Sequence, residues 1–156
     1  MTKLEYQQKR GEIKTGDVFF TAGKSLFSRC IRVFTQSQVS HTGLFLRLGN
    51  RLFIVESLEG SGCRMLPASA MYKEITIIGK IETQFNKKEI KDRALDKIGS
   101  DYDLIGALFS LIWDTESKKV FCSEFVSDVL DLRFPYLNRG ILPIDIANKL
   151  DKTIYE

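Results

Sequence analysis

The chain has 156 residues, of which 44% are apolar and 28% charged, and its formal net charge is +3. This composition is typical of a soluble globular protein and excludes a disordered chain, and the length fits one domain, which we expect to span residues 1–156. Lysine and arginine are scattered and do not form a basic stripe with interleaved aromatic residues. A nucleic-acid partner is therefore not predicted.

Residues 1–15 are polar and carry both charges, so we expect no secretory signal and a cytoplasmic protein. The three cysteines, Cys30, Cys63 and Cys122, lack Cys-x-x-Cys spacing, and the chain has one histidine. These features predict neither a disulfide framework nor a metal site. The apolar run 104–113 is about half the length that spans a bilayer, so we predict no transmembrane segment and a buried or interfacial helix. Contact with a membrane surface stays open.

The first predicted elements are a strand and a helix. Turn chemistry at Thr15-Gly16-Asp17 precedes a short strand at 18–20. Apolar residues at helical spacing then predict a helix over 25–36, with Cys30 on its apolar face.

A β-hairpin follows. Two apolar runs, 42–48 and 51–58, are separated by Gly49-Asn50, which is a strong short-range hairpin signal. His41 enters the first of these strands, and Glu56 comes late in the second. Successive strand residues point to opposite faces, so the two side chains share a face only if the register at the turn allows it.

The remaining chain is predicted to be mostly helical. The segment 59–64 is expected to be a flexible loop, with Cys63 as an incidental surface thiol, and one helical turn over 67–72 is expected before a strand over 74–82. Four helices are predicted, over 87–98, over the apolar run 104–113, from Cys122 onward, and over 144–150. Gly99 ends the first of them, and Pro143 precedes the last. The element order therefore predicts an α+β fold.

Cys122 is the candidate nucleophile. It lies where a strand-like apolar approach, Val120-Phe121, gives way to a helical pattern, and a helix N-terminus favours a thiolate over a thiol. A thiolate nucleophile usually needs an imidazole, and His41 is the one histidine in the sequence. A buried core thiol is the alternative, because Phe125, Val126 and Val129 follow Cys122 at helical spacing.

The order of the motifs resembles the circularly permuted branch of the NlpC/P60 papain-like superfamily, and within it the YiiX/YebB-like group. The motifs are Gly16-Asp17-Val18, Ser40-His41-Thr42-Gly43, Val55-Glu56-Ser57, Gly99-x-x-Tyr102-Asp103, Phe121-Cys122-Ser123-Glu124 and Pro143. The resemblance covers about residues 13–150.

This resemblance implies a permuted papain-like core, with a small antiparallel sheet packed against helices. It implies Cys122 as the nucleophile, His41 as the base, and Glu56 as the third catalytic residue, which orients the imidazole. It also nominates Tyr102 as a hydrogen-bonding or substrate-positioning residue. Alternatives are a structural role for His41, a solvent-facing Glu56 with Glu59 as a nearby acid, and a packing role for Tyr102.

The predicted function is that of a cysteine hydrolase or acyltransferase acting on an amide, thioester or ester through an acyl-enzyme. The expected partner is a small-molecule, peptide or lipid acyl substrate, and the reaction requires no cofactor or metal. The alternative is a catalytically idle papain-like module that binds an acyl or peptide ligand. The fold does not select among these substrates.

Overall fold

The structure of the protein is a computed structural model that describes residues 1–23, 26–58, 60–100, 122–135, 137 and 139–156, without the side chains at 26, 27, 30, 31 and 34. The sequence predictions made for Glu59, Tyr102, the run 104–113 and the side chain of Cys30 lie outside these described residues.

The fold is built on a six-stranded antiparallel sheet with the strand order β4-β3-β2-β1-β5-β6. The strands are β1 (Val18–Thr21), β2 (His41–Leu48), β3 (Arg51–Leu58), β4 (Gly62–Pro67), β5 (Ile75–Lys80) and β6 (Lys152–Tyr155). Strands β3, β2 and β1 are neighbours in the middle of this order. The sheet and the helices confirm the predicted α+β class.

Helices precede, interrupt and follow the sheet in the sequence. They are α1 (Lys3–Lys9), α2 (Leu26–Thr35), α3 (Lys87–Asp96), α4 (Cys122–Leu130) and α5 (Pro143–Ala147), with a 3-10 turn at Ala68–Ala70. Asn86 caps α3 with its side chain, and Gly99 adopts a left-handed conformation shortly after that helix. The predicted helices over 25–36, 87–98 and 144–150 are confirmed, with differences of a few residues at their ends.

The β2–β3 hairpin confirms the prediction from Gly49-Asn50. Leu48 pairs with Arg51 across the turn, and the same register continues to Leu44 opposite Val55. Gly49 has a φ of 57°, which a residue without Cβ adopts at little cost. Carried one residue further, this register places Glu56 opposite Gly43.

The two faces of the sheet contribute to two hydrophobic clusters. Val18, Leu44 and Val55 belong to the cluster that also contains Phe125 and Val126 of α4. Residues of opposite parity, including Phe19 and Phe45, belong to the second cluster. Strand alternation therefore separates the face that carries α4 from the face to which Phe19 contributes.

One prediction about the middle of the chain is wrong. The segment 59–64, expected to be a flexible loop, includes the first half of β4, and Cys63 within it is only 2% exposed, in the same cluster as α4. Cross-strand pairing of Cys63 with Ser57 overrides the turn signal of Gly60 and Gly62. Two further elements, α1 and β6, were not predicted.

No helix within the described part of the chain is long and apolar enough to span a bilayer.

Candidate active site

His41 is held at the start of β2 by the backbone around it. It pairs with Thr21, the last residue of β1. The preceding Ser40 donates its N–H to the carbonyl of Thr21 at 3.0 Å, and its hydroxyl accepts the N–H of Gly23 at 2.9 Å. Ser40 thus fixes the strand end that presents the imidazole.

Glu56 reaches His41 from the neighbouring strand. Its Oε2 lies 2.8 Å from Nε2 of His41, and its side chain is fully buried, whereas the imidazole is 12% exposed. The hairpin register therefore puts the two groups on the same face. The alternative of a solvent-facing Glu56 is wrong.

Arg64 on β4 is a site residue that the sequence did not reveal. It pairs directly with Glu56 across the two strands. Its Nε and Nη2 donate to Oε1 of Glu56 at 3.0 and 2.7 Å. His41, Glu56 and Arg64 thus form one charged row across three consecutive strands. Arg64 could have been placed opposite Glu56 only if residues 62–67 had been predicted to form a strand next to β3.

Cys122 is the first residue of α4 and is 5% exposed. Its side chain lies close enough to the imidazole of His41 to raise the pKa of that ring. The next residue, Ser123, donates its hydroxyl to the carbonyl of Ile141, which ties the start of α4 to the segment before α5. Cys122, His41 and Glu56 are therefore brought together.

A glycine and a phenylalanine shape the surroundings of the imidazole. The ring of Phe19 packs edge-on against that of His41, with centroids 6.2 Å apart. Phe19 pairs with Gly43, and a Cβ on Gly43 would lie 2.7 Å from the Phe19 ring and from the carbonyl oxygen of Val55. The glycine of the Ser-His-x-Gly motif therefore makes room for the ring that flanks the histidine.

The charges at the site favour an imidazolium. Burial by itself lowers the pKa of His41, but the negative charge of Cys122 and its hydrogen bond, together with Glu56, raise the pKa to about 10. Burial raises the pKa of Glu56, since it disfavours the charged form, but the contacts with His41 and Arg64 lower the pKa by more. The net shift of the Glu56 pKa is therefore downward. Glu56 is therefore a carboxylate at neutral pH.

The hydrogen bond with Glu56 also selects the tautomer of His41. A carboxylate accepts hydrogen bonds and does not donate them, so Nε2 of His41 carries a proton. The second ring nitrogen, Nδ1, is then the one left to exchange a proton with the sulfur of Cys122.

Comparison with known proteins identifies the family. Residues 12–149 match the family described as permuted papain-like amidase enzyme, YaeF/YiiX, C92 family. The chain belongs to this family. This confirms the resemblance to a permuted papain-like YiiX group. No curated protein matches the sequence significantly.

A solved structure shares the fold of this family member. It is the crystal structure of metalloprotein yiiX from Escherichia coli O157:H7, with 19% identity and a TM-score of 0.62, over 92% of this chain and 89% of that one. That protein is described as a metalloprotein. In the present chain, no three His, Cys, Asp or Glu side chains among the described residues form a group able to hold a metal ion.

The second described cysteine contrasts with Cys122. Burial raises the pKa of the Cys63 thiol to about 11, an effect that Lys97 opposes and Glu56 reinforces. The backbone of Cys63 exchanges two hydrogen bonds with the segment after α3, at 2.8 Å to the carbonyl of Ser100 and 2.9 Å from the N–H of Gly99. Cys63 is thus a core thiol that anchors the start of the Gly99-x-x-Tyr102 motif.

A cavity of about 860 Å³ lies beside α2 and β5. Its lining includes Ala22, directly after β1, and Val39, two residues before His41. Its charged lining residues are Arg29, Arg32, Lys73 and Glu156. Cys122, His41 and Glu56 are not among its described lining residues. The cavity is therefore separate from the candidate active site, although two of its lining residues are close to β1 and His41 in the sequence.

Proposed function

We propose that the protein is a cysteine hydrolase or acyltransferase that cleaves an amide, thioester or ester through a Cys122–His41–Glu56 acyl-enzyme mechanism. The observation that carries this proposal is the 2.8 Å contact of the His41 imidazole with a fully buried Glu56 carboxylate, on a ring whose pKa is also raised by the neighbouring Cys122. Membership of a papain-like amidase family supports an amide as the first bond to test.

In the first step, the Cys122 proton passes to Nδ1 of His41, and the sulfur attacks the acyl carbon. The N–H of Cys122, at the start of α4, is a donor for the oxyanion that forms, since the first N–H groups of a helix have no partner within it. His41 then gives its Nδ1 proton to the leaving group as the bond to the acyl carbon breaks. The acyl group remains on Cys122 as a thioester.

In the second step, water or another acceptor attacks the thioester. Nδ1 of His41 takes the proton of the attacking group, and the Cys122 sulfur leaves. Glu56 holds Nε2 throughout, which keeps Nδ1 directed toward the sulfur and stabilises the imidazolium whenever it forms. These steps use side chains and one backbone N–H of the chain.

Tyr102 is proposed as a substrate-positioning residue. It lies outside the described residues, but Ser100, two positions earlier, is hydrogen-bonded to Cys63. Cys63 is the neighbour of Arg64 in β4, so the motif starts beside the charged row. The proposed substrates are a small-molecule, peptide or lipid acyl compound, and the proposed location is the cytoplasm. Kinship with the wider NlpC/P60 superfamily stays a prediction.

Intact mass spectrometry after mixing with acyl donors tests this function. The panel consists of p-nitrophenyl acetate, an acyl p-nitroanilide, an acyl thioester of coenzyme A and a lysophospholipid. We expect the mass of one acyl group on Cys122, absent in Cys122→Ala. General-base loss typically costs about 10² to 10⁴ in rate, so folded His41→Ala should acylate far more slowly. A folded protein that binds these compounds without acylation contradicts the proposal and indicates the idle binding module.

A further inference from the structure

Arg64 and His41 occupy different oxygens of the same buried carboxylate. Arg64 holds Oε1 of Glu56 with two N–H groups, and His41 holds Oε2. We propose that Arg64 is a positioning residue that keeps Glu56 ionised and fixed during the part of the reaction in which His41 is uncharged. This inference rests on the proposed function and deepens it.

The need for Arg64 follows from the burial of Glu56. The carboxylate is fully buried, and a buried carboxylate without a cation tends to take up a proton. His41 supplies a cation only while it is an imidazolium. In the acyl-enzyme it has given its proton to the leaving group, so its charge is gone. The guanidinium of Arg64 remains charged at every stage, since an arginine does not lose its proton in proteins.

Loss of that permanent charge would block the base. Without Arg64, the Glu56–His41 pair would keep its second proton up to a higher pH, because the positive charge of the guanidinium would no longer be beside the pair to oppose protonation. The proton would lie on the ring or on the carboxylate. In the second case Glu56 donates to Nε2, and the ring proton moves to Nδ1. In both cases Nδ1 of His41 carries a proton and cannot accept one from water, so release of the acyl group is the step that slows.

The strand pairing suits this role. Glu56 and Arg64 are directly opposite each other on β3 and β4. The strand pairing, and not a loop, therefore positions the guanidinium beside the carboxylate. Arg64 is 39% exposed, so its charge is partly solvated while its Nε and Nη2 point to Oε1. A lysine would keep the charge and lose the two-point contact.

A titration of His41 tests the proposal without requiring turnover. The chain has one histidine, so ¹⁵N-histidine labelling gives a single imidazole to follow by NMR. In a Cys122→Ala background, Arg64→Gln should raise the pH midpoint at which the His41–Glu56 pair loses its second proton by about one unit relative to the parent. Below that midpoint the NMR spectrum should show either the doubly protonated ring or the Nδ1–H tautomer. Arg64→Lys should shift the midpoint less. The matched control Arg51→Gln, an exposed arginine on β3, should match the parent. An Arg64→Gln titration identical to the parent overturns the proposal.

Hydrolysis of p-nitrophenyl acetate supplies the second readout. The initial burst of p-nitrophenolate should persist in Arg64→Gln, while the steady-state rate falls and its acidic limb moves up in pH. Glu56→Gln/Arg64→Gln should be no slower than Glu56→Gln alone, because Arg64 acts through Glu56. Fully additive losses, or an unchanged acidic limb, would contradict the role. A parent protein without turnover would refute the proposed function, and the titration would still decide the role of Arg64.

Discussion

Glu56 contacts His41 diagonally across the β2–β3 hairpin, with Oε2 2.8 Å from Nε2. The residue opposite Glu56 in the register is Gly43, two positions beyond His41. Diagonal neighbours on one face of a sheet are within reach of long side chains. A register shift of one residue would turn Glu56 to the other face, so the Gly49-Asn50 turn is part of what builds the site.

Glu56→Gln should lower turnover of p-nitrophenyl acetate by about 10- to 100-fold, the worth of one hydrogen bond to a charged group. The substitution keeps the shape of the side chain and removes the charge that stabilises the His41 imidazolium. The pH midpoint of Cys122 alkylation should therefore move upward. Both quantities are measured with stopped-flow ester hydrolysis and iodoacetamide kinetics across a pH series.

Glu59→Gln is the control for that variant, since Glu59 was the alternative acid in the sequence. It should leave turnover and the alkylation profile nearly unchanged. A shifted profile in Glu59→Gln together with an unshifted one in Glu56→Gln would mean that the orienting role had been assigned to the wrong acid.

Iodoacetamide at neutral pH should modify Cys122 well before Cys63. Both thiols are nearly buried, so exposure alone does not separate them. Cys122 lies beside the imidazole of His41, the proposed acceptor of its proton, whereas burial raises the pKa of Cys63 to about 11. Peptide mapping against time gives the order, and faster labelling of Cys63 or Cys30 would argue against Cys122 as the nucleophile.

The pKa of His41 should fall when Cys122 is replaced by alanine. Burial lowers the pKa of this imidazole, and the charge of Cys122 is the first of the effects that raise it to about 10. Removing a negative neighbour destabilises the imidazolium, so the ring should lose its second proton at a lower pH. The single ¹⁵N-labelled histidine allows a direct NMR titration, in which an unchanged midpoint would mean that the two groups are not coupled.

Gly43→Ala should destabilise the protein by about 1–3 kcal/mol, as expected for overpacking. The new methyl would lie 2.7 Å from the Phe19 ring, which must move, and with it the flank of His41. Urea unfolding and ester hydrolysis should both report a loss. Gly11→Ala is the matched control, because a Cβ there meets nothing within 4 Å. Equal stability of the two variants would contradict the packing argument.

The sequence predicted those features that depend on local chemistry. The Gly49-Asn50 turn, the periodicity of α2 and the helix start at Cys122 each follow from neighbouring residues. The residues nominated as nucleophile, base and orienting acid are brought together, with His41 next to both Glu56 and Cys122, and their catalytic roles are proposals. The polar series Thr2-x-x-Glu5, a capping box in the structure, was a readable signal for α1 that the sequence analysis missed.

The features that were missed depend on pairing between distant residues. Gly60, just before β4, and Gly62, its first residue, both have a positive φ, so the sequence there is typical of a loop. Its strand character comes from pairing with β3 and from the backbone of Gly99 and Ser100 on its other side. Arg64 gains its role only through that pairing, so no local pattern could reveal it.

The charged row also has a consequence for how the site assembles as the chain folds. His41, Glu56 and Arg64 lie on consecutive antiparallel strands joined by short connections, and contacts of this kind form early because little loop entropy is lost. Cys122 comes much later in the sequence. During synthesis His41, Glu56 and Arg64 are therefore expected to be in place before Cys122 leaves the ribosome, so the proposed nucleophile packs against an imidazole that is already positioned.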